Sequence, residues 1–319
     1  MKKALISGVT GQDGSYLAHL LCSKGYQVWG TSRDSQVANM SNLTKLGVAD
    51  KVTVLSMVQT DFRSVLNAFS RSQPDEIYLL SGQSSVGLSF DQPAESMESN
   101  ALGTLNVLEA MRFLGISGRL YHASSSECFG DVGSVRANEA TPFHPRSPYG
   151  VAKASAHWLV TNYREAYNLF CCNGILFNHE SPLRPDRFVT RKIVATACRI
   201  KKGSNERLCL GRLDVSRDWG WAPDFVDAMW RMLQIDSPDD FVIATGASYS
   251  LEQFVQCVFE HQGLEWRDHV DIDANLLRPS DIATSAADPS KAQRVIGWKS
   301  KTSFSDLIKK LIEAEMNRA

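Results

Sequence analysis

Three observations predict an α/β fold, a doubly wound parallel sheet followed by a smaller C-terminal substrate-binding domain. Strand-like and helix-like segments alternate, the strands are apolar runs without polar alternation, and a glycine-rich turn follows the first strand. "KALISG" (3–8) is a short buried strand, and "GSYLAHLLCSKG" (14–25) has helical spacing and stops at Gly25. "YQVWGTS" (26–32) and "KVTVLSM" (51–57) are strands two and three, the latter followed by a helical "DFRSVLNAFSRS" (61–72). "DEIYLLSG" (75–82) is strand four and leads into a long helix over 94–115. "RLYHASS" (119–125) is strand five, "SPYGVAKASAHWLVTNYREAYN" (147–168) the next helix, and "FCCNGILFN" (170–178) strand six. Beyond Asn178 the pattern turns to polar loops, prolines and shorter segments. This divides the chain at 1–177 and 178–319, with 221–246 ("FVIATG" at its end) returning to the main sheet.

The 319 residues carry 34 Lys and Arg against 35 Asp and Glu, a formal net charge of -1, so no basic excess points to nucleic acid. A small anionic ligand needs only a few local cations. Seven cysteines, an odd number with no Cys-x-x-Cys, predict a reduced cytoplasmic chain without a zinc cage. The apolar start is short and broken by Gly8 and Gly11, unlike a signal peptide. No run approaches the roughly 20 apolar residues of a membrane span.

Gly8, Gly11 and Gly14, with Gln12 and Asp13 between the last two, form G-x-x-G-x-x-G between a strand and a helix. That context suits a dinucleotide: the turn is tight, the pyrophosphate approaches backbone, and a helix N-terminus supplies donors. This is a Rossmann-type arrangement. At the end of strand two, Arg33 suits the extra phosphate of NADP, whereas Asp34 beside it suits the ribose of NAD; Arg33 decides for NADP. Tyr149 and Lys153, at i and i+4 after Pro148, share one helix face, where the cation lowers the phenol's pKa and prepares it to accept a hydroxyl proton. Strand five ends in Ser124, Ser125, Ser126 and Glu127 at the same sheet edge. Ser125 is placed to hydrogen-bond the oxidised hydroxyl. Glu127 is superfluous for simple alcohol oxidation but is needed if a proton next to the new ketone must also move.

The segments "ALISGVTGQDGSYLA", "SSSECFG", "TPFHPRSPYGVAK", "NHESPLR" and "SRDWG" resemble the GDP-mannose 4,6-dehydratase family of extended short-chain dehydrogenases/reductases, and the likeness runs nearly end to end. The resemblance implies tightly held NADP, conversion of GDP-mannose to GDP-4-keto-6-deoxy-mannose, and a homodimer or homotetramer. It also implies Tyr149 and Lys153 as the redox pair, Glu127 as the base with Ser126 beside it, and Ser125 in place of the family's threonine. Ser84, Asn178, Lys192, Arg217 and Arg278 stand at positions that hold the nucleotide sugar. Three stretches depart from the family pattern: Met57 to Asp61 where an adenine-contacting aspartate is usual, Ser81-Gly82 for Ala-Ala, and Ser32-Arg33 for Arg-Arg. Such departures fit a subfamily acting on another GDP-sugar, such as a GDP-manno-heptose.

His179 and Glu180 read as loop scaffolding, Trp219 and Trp221 as packing of the second domain, and Cys128 as a small core residue; no metal is expected. Two rivals remain at this stage: a keto-sugar reductase or epimerase on the same fold, which has no use for Glu127, and a nucleotide-binding regulator without turnover.

Overall fold

The computed structural model describes residues 1–318. Its strands, in chain order, are β1 Lys3–Ser7, β2 Gln27–Ser32, β3 Val52–Ser56, β4 Glu76–Leu79, β5 Arg119–Ser125 and β6 Cys171–Leu176, then β7 Asn178–Glu180, β8 Leu208–Leu210, β9 Ser216–Trp221, β10 Asp240–Ile243, β11 Ser248–Ser250 and β12 Val270–Ile272. Seven of them form one parallel sheet in the order β3-β2-β1-β4-β5-β6-β10. The order reverses between β1 and β4, which opens a crevice at their carboxyl ends, the place where such sheets take ligands. Both faces are covered, as the apolar strands require. Ala4 and Ile6 pack with Leu17, Leu21, Val28 and Phe225 on one side, while Leu5 packs with Phe69, Val107, Met111 and Val160 on the other.

The expected helix over 94–115 is not continuous. It consists of helix Pro93–Met97, a wider π turn over Glu98–Leu102, and helix Gly103–Leu114. The cause is local. The Asn100 side-chain amide donates to the Gln83 carbonyl (3.0 Å), Thr104 Oγ1 donates to the Asn100 carbonyl (2.6 Å), and Gly103 lies against Gln59. Helical spacing in the sequence is nearly blind to one extra residue per turn.

A second core gathers Ile193 and Ala197 from helix Val189–Lys201, Phe254 and Val258 from helix Leu251–His261, and Leu307 and Leu311 from helix Phe304–Met316. Trp219 packs in it against Phe254, with ring centroids 5.2 Å apart, and Trp221 lies at its margin. The chain returns to the first core twice. Phe225, Met229, Phe241 and Ile243 form the first return; Ala292, Ile296 and Trp298 form another, later one.

Gly14 sets how closely the first helix meets the glycine turn. A Cβ there would fall 2.3 Å from the Gly8 carbonyl oxygen and 2.7 Å from the Val9 Cα, both backbone atoms that no rotamer change can move. Gly14→Ala is therefore expected to lose about 1–3 kcal/mol of stability and to weaken dinucleotide retention, read as a lower urea midpoint and faster loss of bound cofactor.

Candidate active site

The carboxyl ends of β4, β5 and β6 converge on a cavity of about 450 Å³ whose outer wall comes from the second core. Just past β1, Gly8 has φ +72°, a left-handed conformation that favours glycine, and a Cβ there would press on Ser81 at 3.1 Å. Gly11 N–H closes the turn onto the Gly8 carbonyl (3.0 Å), and helix Gln12–Ser23 starts without a side-chain cap. Its first amides are thus available to an anion. Gln12 and Asp13, expected at the cofactor, also brace the fold with their side chains, and Asp13 lines the cavity. Gln12 donates to the His179 carbonyl (3.2 Å) and accepts from Ser181 (2.8 Å), and Asp13 pairs with His179 Nε2 at 2.8 Å. Burial works against both charges of that pair. The mutual attraction outweighs it, lowering the Asp13 carboxyl and raising the His179 imidazole. His179 is scaffolding of a definite kind: it ties β7 to the glycine turn. Glu180 accepts from Thr190 (2.7 Å).

Arg33 lies exposed just past β2, with no ion pair among the described residues. Asp34 accepts from the Gln36 N–H (2.9 Å) and so closes its own turn. Asp61, in the stretch that departs from the family pattern, caps helix Phe62–Ser72 through the Arg63 N–H (3.0 Å).

Beyond β5 the chain makes one tight turn, Ser126–Cys128, capped by Ser125 Oγ accepting from the Glu127 N–H (3.2 Å). Helix Pro148–Tyr167 docks onto this turn. Ser147 caps it by accepting from Gly150 N–H (3.0 Å), Pro148 fills the first position, and a Cβ on Gly150 would stand only 2.9 Å from the Glu127 carbonyl. The helix start delivers Tyr149 and Lys153 to the cavity beside Ser125, Ser126 and Glu127. Burial pushes the Tyr149 phenol well up, and the neighbouring Ser125 hydroxyl draws it back in part. Lys153 Nζ donates to the Ala123 carbonyl (2.9 Å) and sits 5.9 Å from the Tyr149 ring centre; burial brings its pKa down to about 8. The Glu127 carboxyl faces the cavity and is raised by burial, with Arg217 and Arg278 opposing the shift. Cys128 is fully buried, and burial pushes its thiol up to about 12.

Ser84, Asn178, Lys192, Arg217 and Arg278 all line the same cavity. Lys192 Nζ donates to the Cys209 carbonyl (2.7 Å), while Ser84 is exposed on the loop after β4. Four further charged lining residues escaped sequence reasoning: Arg184, Arg187, Arg212 and Asp281. Arg184, inside the "NHESPLR" motif, stacks on Phe188 at 3.8 Å, and Arg212 forks onto Asp214. The arginines at 184, 187 and 191 were the available signal for the first two; each alone reads as a solvated charge, and Arg212 and Asp281 had no such signal. Among the described residues no three His, Cys, Asp or Glu side chains cluster as metal ligands.

A glycine cradle with free helix amides, a Tyr-Lys pair and a cation-lined cavity define an extended short-chain dehydrogenase/reductase of the nucleotide-sugar type. The family model described as GDP-mannose 4,6 dehydratase matches residues 5–311. The chain belongs to the GDP-mannose 4,6 dehydratase family, whose activity is the dehydration of GDP-mannose. GDP-mannose 4,6 dehydratase 1 of Arabidopsis thaliana is 43% identical, covering 100% of this chain and 91% of its own. Among solved structures, the Thermus thermophilus UDP-glucose 4-epimerase in complex with NAD superimposes with a TM-score of 0.87 at 25% identity, covering 100% of both chains. RMD from Pseudomonas aeruginosa, complexed with NADPH, does so at 0.81 and 22%, covering 99% of this chain and 100% of that one. A nicotinamide cofactor follows from fold and family together.

Because burial raises Glu127, the native state holds its proton more tightly than the unfolded chain. The resulting cost is absent where both states are protonated, appears as pH rises through the ordinary carboxylate value, and is complete above the raised one. Glu127→Gln is expected to be more stable than wild type at pH 8. The two should have equal stability below about pH 4, as measured by urea denaturation at each pH.

Proposed function

We propose that GDP-mannose dehydration is carried out here by Tyr149, Lys153, Ser125, Ser126 and Glu127, with NADP on the glycine turn and the sugar diphosphate among Asn178, Lys192, Arg217 and Arg278. The cradle suits a dinucleotide: Gly8 takes a left-handed turn, the missing Cβ at Gly14 lets the following helix lie directly on that turn, and the helix begins uncapped. Bound there, the nicotinamide supplies hydride acceptance from C4 and its return to C6. Tyr149 takes the O4 proton while Ser125 holds that oxygen, and Lys153 steadies the phenolate by its charge. Once C4 is a ketone, the C5–H is acidic. Glu127 removes that proton and hands it, with Ser126 alongside, to the hydroxyl leaving C6, which departs as water. The proton held by Tyr149 then goes to C5. All atoms are accounted for: one sugar gives one 4-keto-6-deoxy sugar and one water, with the cofactor regenerated.

One observation carries this reading. Glu127 and Tyr149 line one cavity from two elements that touch backbone to backbone, and the Glu127 carboxyl is kept basic by burial. A reductase or a mere binder has no use for that carboxyl. NADP is favoured by the exposed, unpaired Arg33 and by the engagement of Asp34 in its own turn. We assign 1–177, with the returning segments, to the dinucleotide and most of 178–319 to the sugar nucleotide. A homodimer or homotetramer is supported by Leu102, Val151 and a 60% exposed Trp158 on two neighbouring helical segments. A cytoplasmic setting is supported by seven unpaired cysteines; no described helix is long and apolar enough to cross a membrane.

Glu127→Gln should bind GDP-mannose and NADP yet form the 4-keto-6-deoxy product on the order of 10²–10⁴ times more slowly, followed by mass spectrometry and NMR. Full product formation would remove the assignment. Arg33→Ala should weaken NADP binding about tenfold or more and leave NAD binding unchanged, by titration with each cofactor.

A further inference from the structure

Arg217 is the buried cation nearest in kind to an ion partner for Glu127, yet the two are not paired. Each of its terminal nitrogens already makes one bond: one donates to the Ser216 carbonyl (2.9 Å), the other to Asp281 Oδ1 (3.0 Å). Asp281 also faces Arg278, at 3.6 Å, and accepts from the Ile282 N–H (2.9 Å). The Glu127 carboxylate has no hydrogen bond and no ion pair among the described residues, although both arginines act on it from across the cavity. The segment carrying Asp281 is held firmly. Asp131, four residues past Glu127, accepts from the Ala283 and Thr284 N–H groups, and Ser216 N–H donates to the Ala283 carbonyl (2.8 Å).

We infer that Asp281 is a positioning residue that holds Arg217 away from Glu127 and so keeps the base of the reaction unpaired. The inference rests on the proposed role of Glu127. Physically, a buried carboxylate beside a free guanidinium would collapse into a two-pronged ion pair, a strong contact that would leave it a poor base. Asp281 holds one prong of that fork and the Ser216 carbonyl the other. The other cations of the cavity are engaged elsewhere: Lys153 is bonded to the Ala123 carbonyl, Lys192 to the Cys209 carbonyl, Arg184 is paired with Glu180, Arg187 lies over the Phe188 ring, and Arg212 is engaged by Asp214. Arg278 is the more exposed of the two arginines and is shared with Asp281 itself.

The test follows the single-turnover rate of dehydration against pH for wild type, Asp281→Asn, Asp281→Glu and Glu127→Gln, each with its GDP-mannose affinity and melting temperature. In Asp281→Asn the acidic limb should move about one pH unit lower and the plateau rate should fall about tenfold, with substrate affinity changed much less. Asp281→Glu should restore both limb and rate, which a role in folding alone would not predict. A limb unmoved in Asp281→Asn, or a loss confined to substrate affinity, would overturn the inference. If Glu127→Gln retains the acidic limb, the base assignment itself fails, whatever Asp281→Asn does. If Asp281→Asn does not fold, the same readouts are taken on Asp281→Ser, where a limb about one pH unit lower supports the inference and a wild-type limb overturns it.

Discussion

The architecture turns on how closely helix Pro148–Tyr167 can lie against the turn after β5. Gly150 permits the approach, since any side chain would meet the Glu127 carbonyl at 2.9 Å. Ser147 caps the helix there, and Lys153 secures it from below through the Ala123 carbonyl. One packing contact therefore fixes the spacing of a phenol, an ammonium and a carboxyl drawn from two elements. Orientation of reacting groups is the part of a catalytic barrier that a rigid scaffold can reduce most directly.

Around this contact the protein spends stability on charge. Tyr149, Lys153 and Glu127 are all shifted by burial against their charged forms. Elsewhere, buried ions are compensated: Asp13 by His179, and Asp240 by a two-pronged Arg164 together with Asn173. The contrast separates charges that brace the fold from charges left without a direct ionic partner. Asp13 and His179 also show how bracing serves the site, because the pair links the glycine turn to the strand that carries Asn178.

Much of this was legible in the residues. The six apolar strands, the glycine turn and the Tyr149–Lys153 spacing each rest on local rules, and the sheet realises all of them. Glu127 was legible because strand five ends in polar residues at the edge where ligands bind. Four features lay outside local reasoning. The π turn at 98–102 depends on Asn100 reaching Gln83. The true engagement of Gln12 and Asp13 depends on β7, more than 160 residues away in the chain. Arg184, Arg187, Arg212 and Asp281 gain meaning only when distant loops meet, and the third visit to the first core, through Ala292, Ile296 and Trp298, had no periodic signal of its own.

That repeated crossing between cores has a consequence for how the molecule can be divided. β10 closes one edge of the seven-stranded sheet against β6, and the helix bearing Phe225 covers its face, although both are encoded after the substrate-side strands begin. Severing the polypeptide after residue 177 would strip that border, leaving Cys171 to Leu176 with open backbone donors and acceptors on an apolar ribbon, a surface prone to self-association. The nucleotide half is not a detachable module; its completion waits for the far side of the chain to be synthesised.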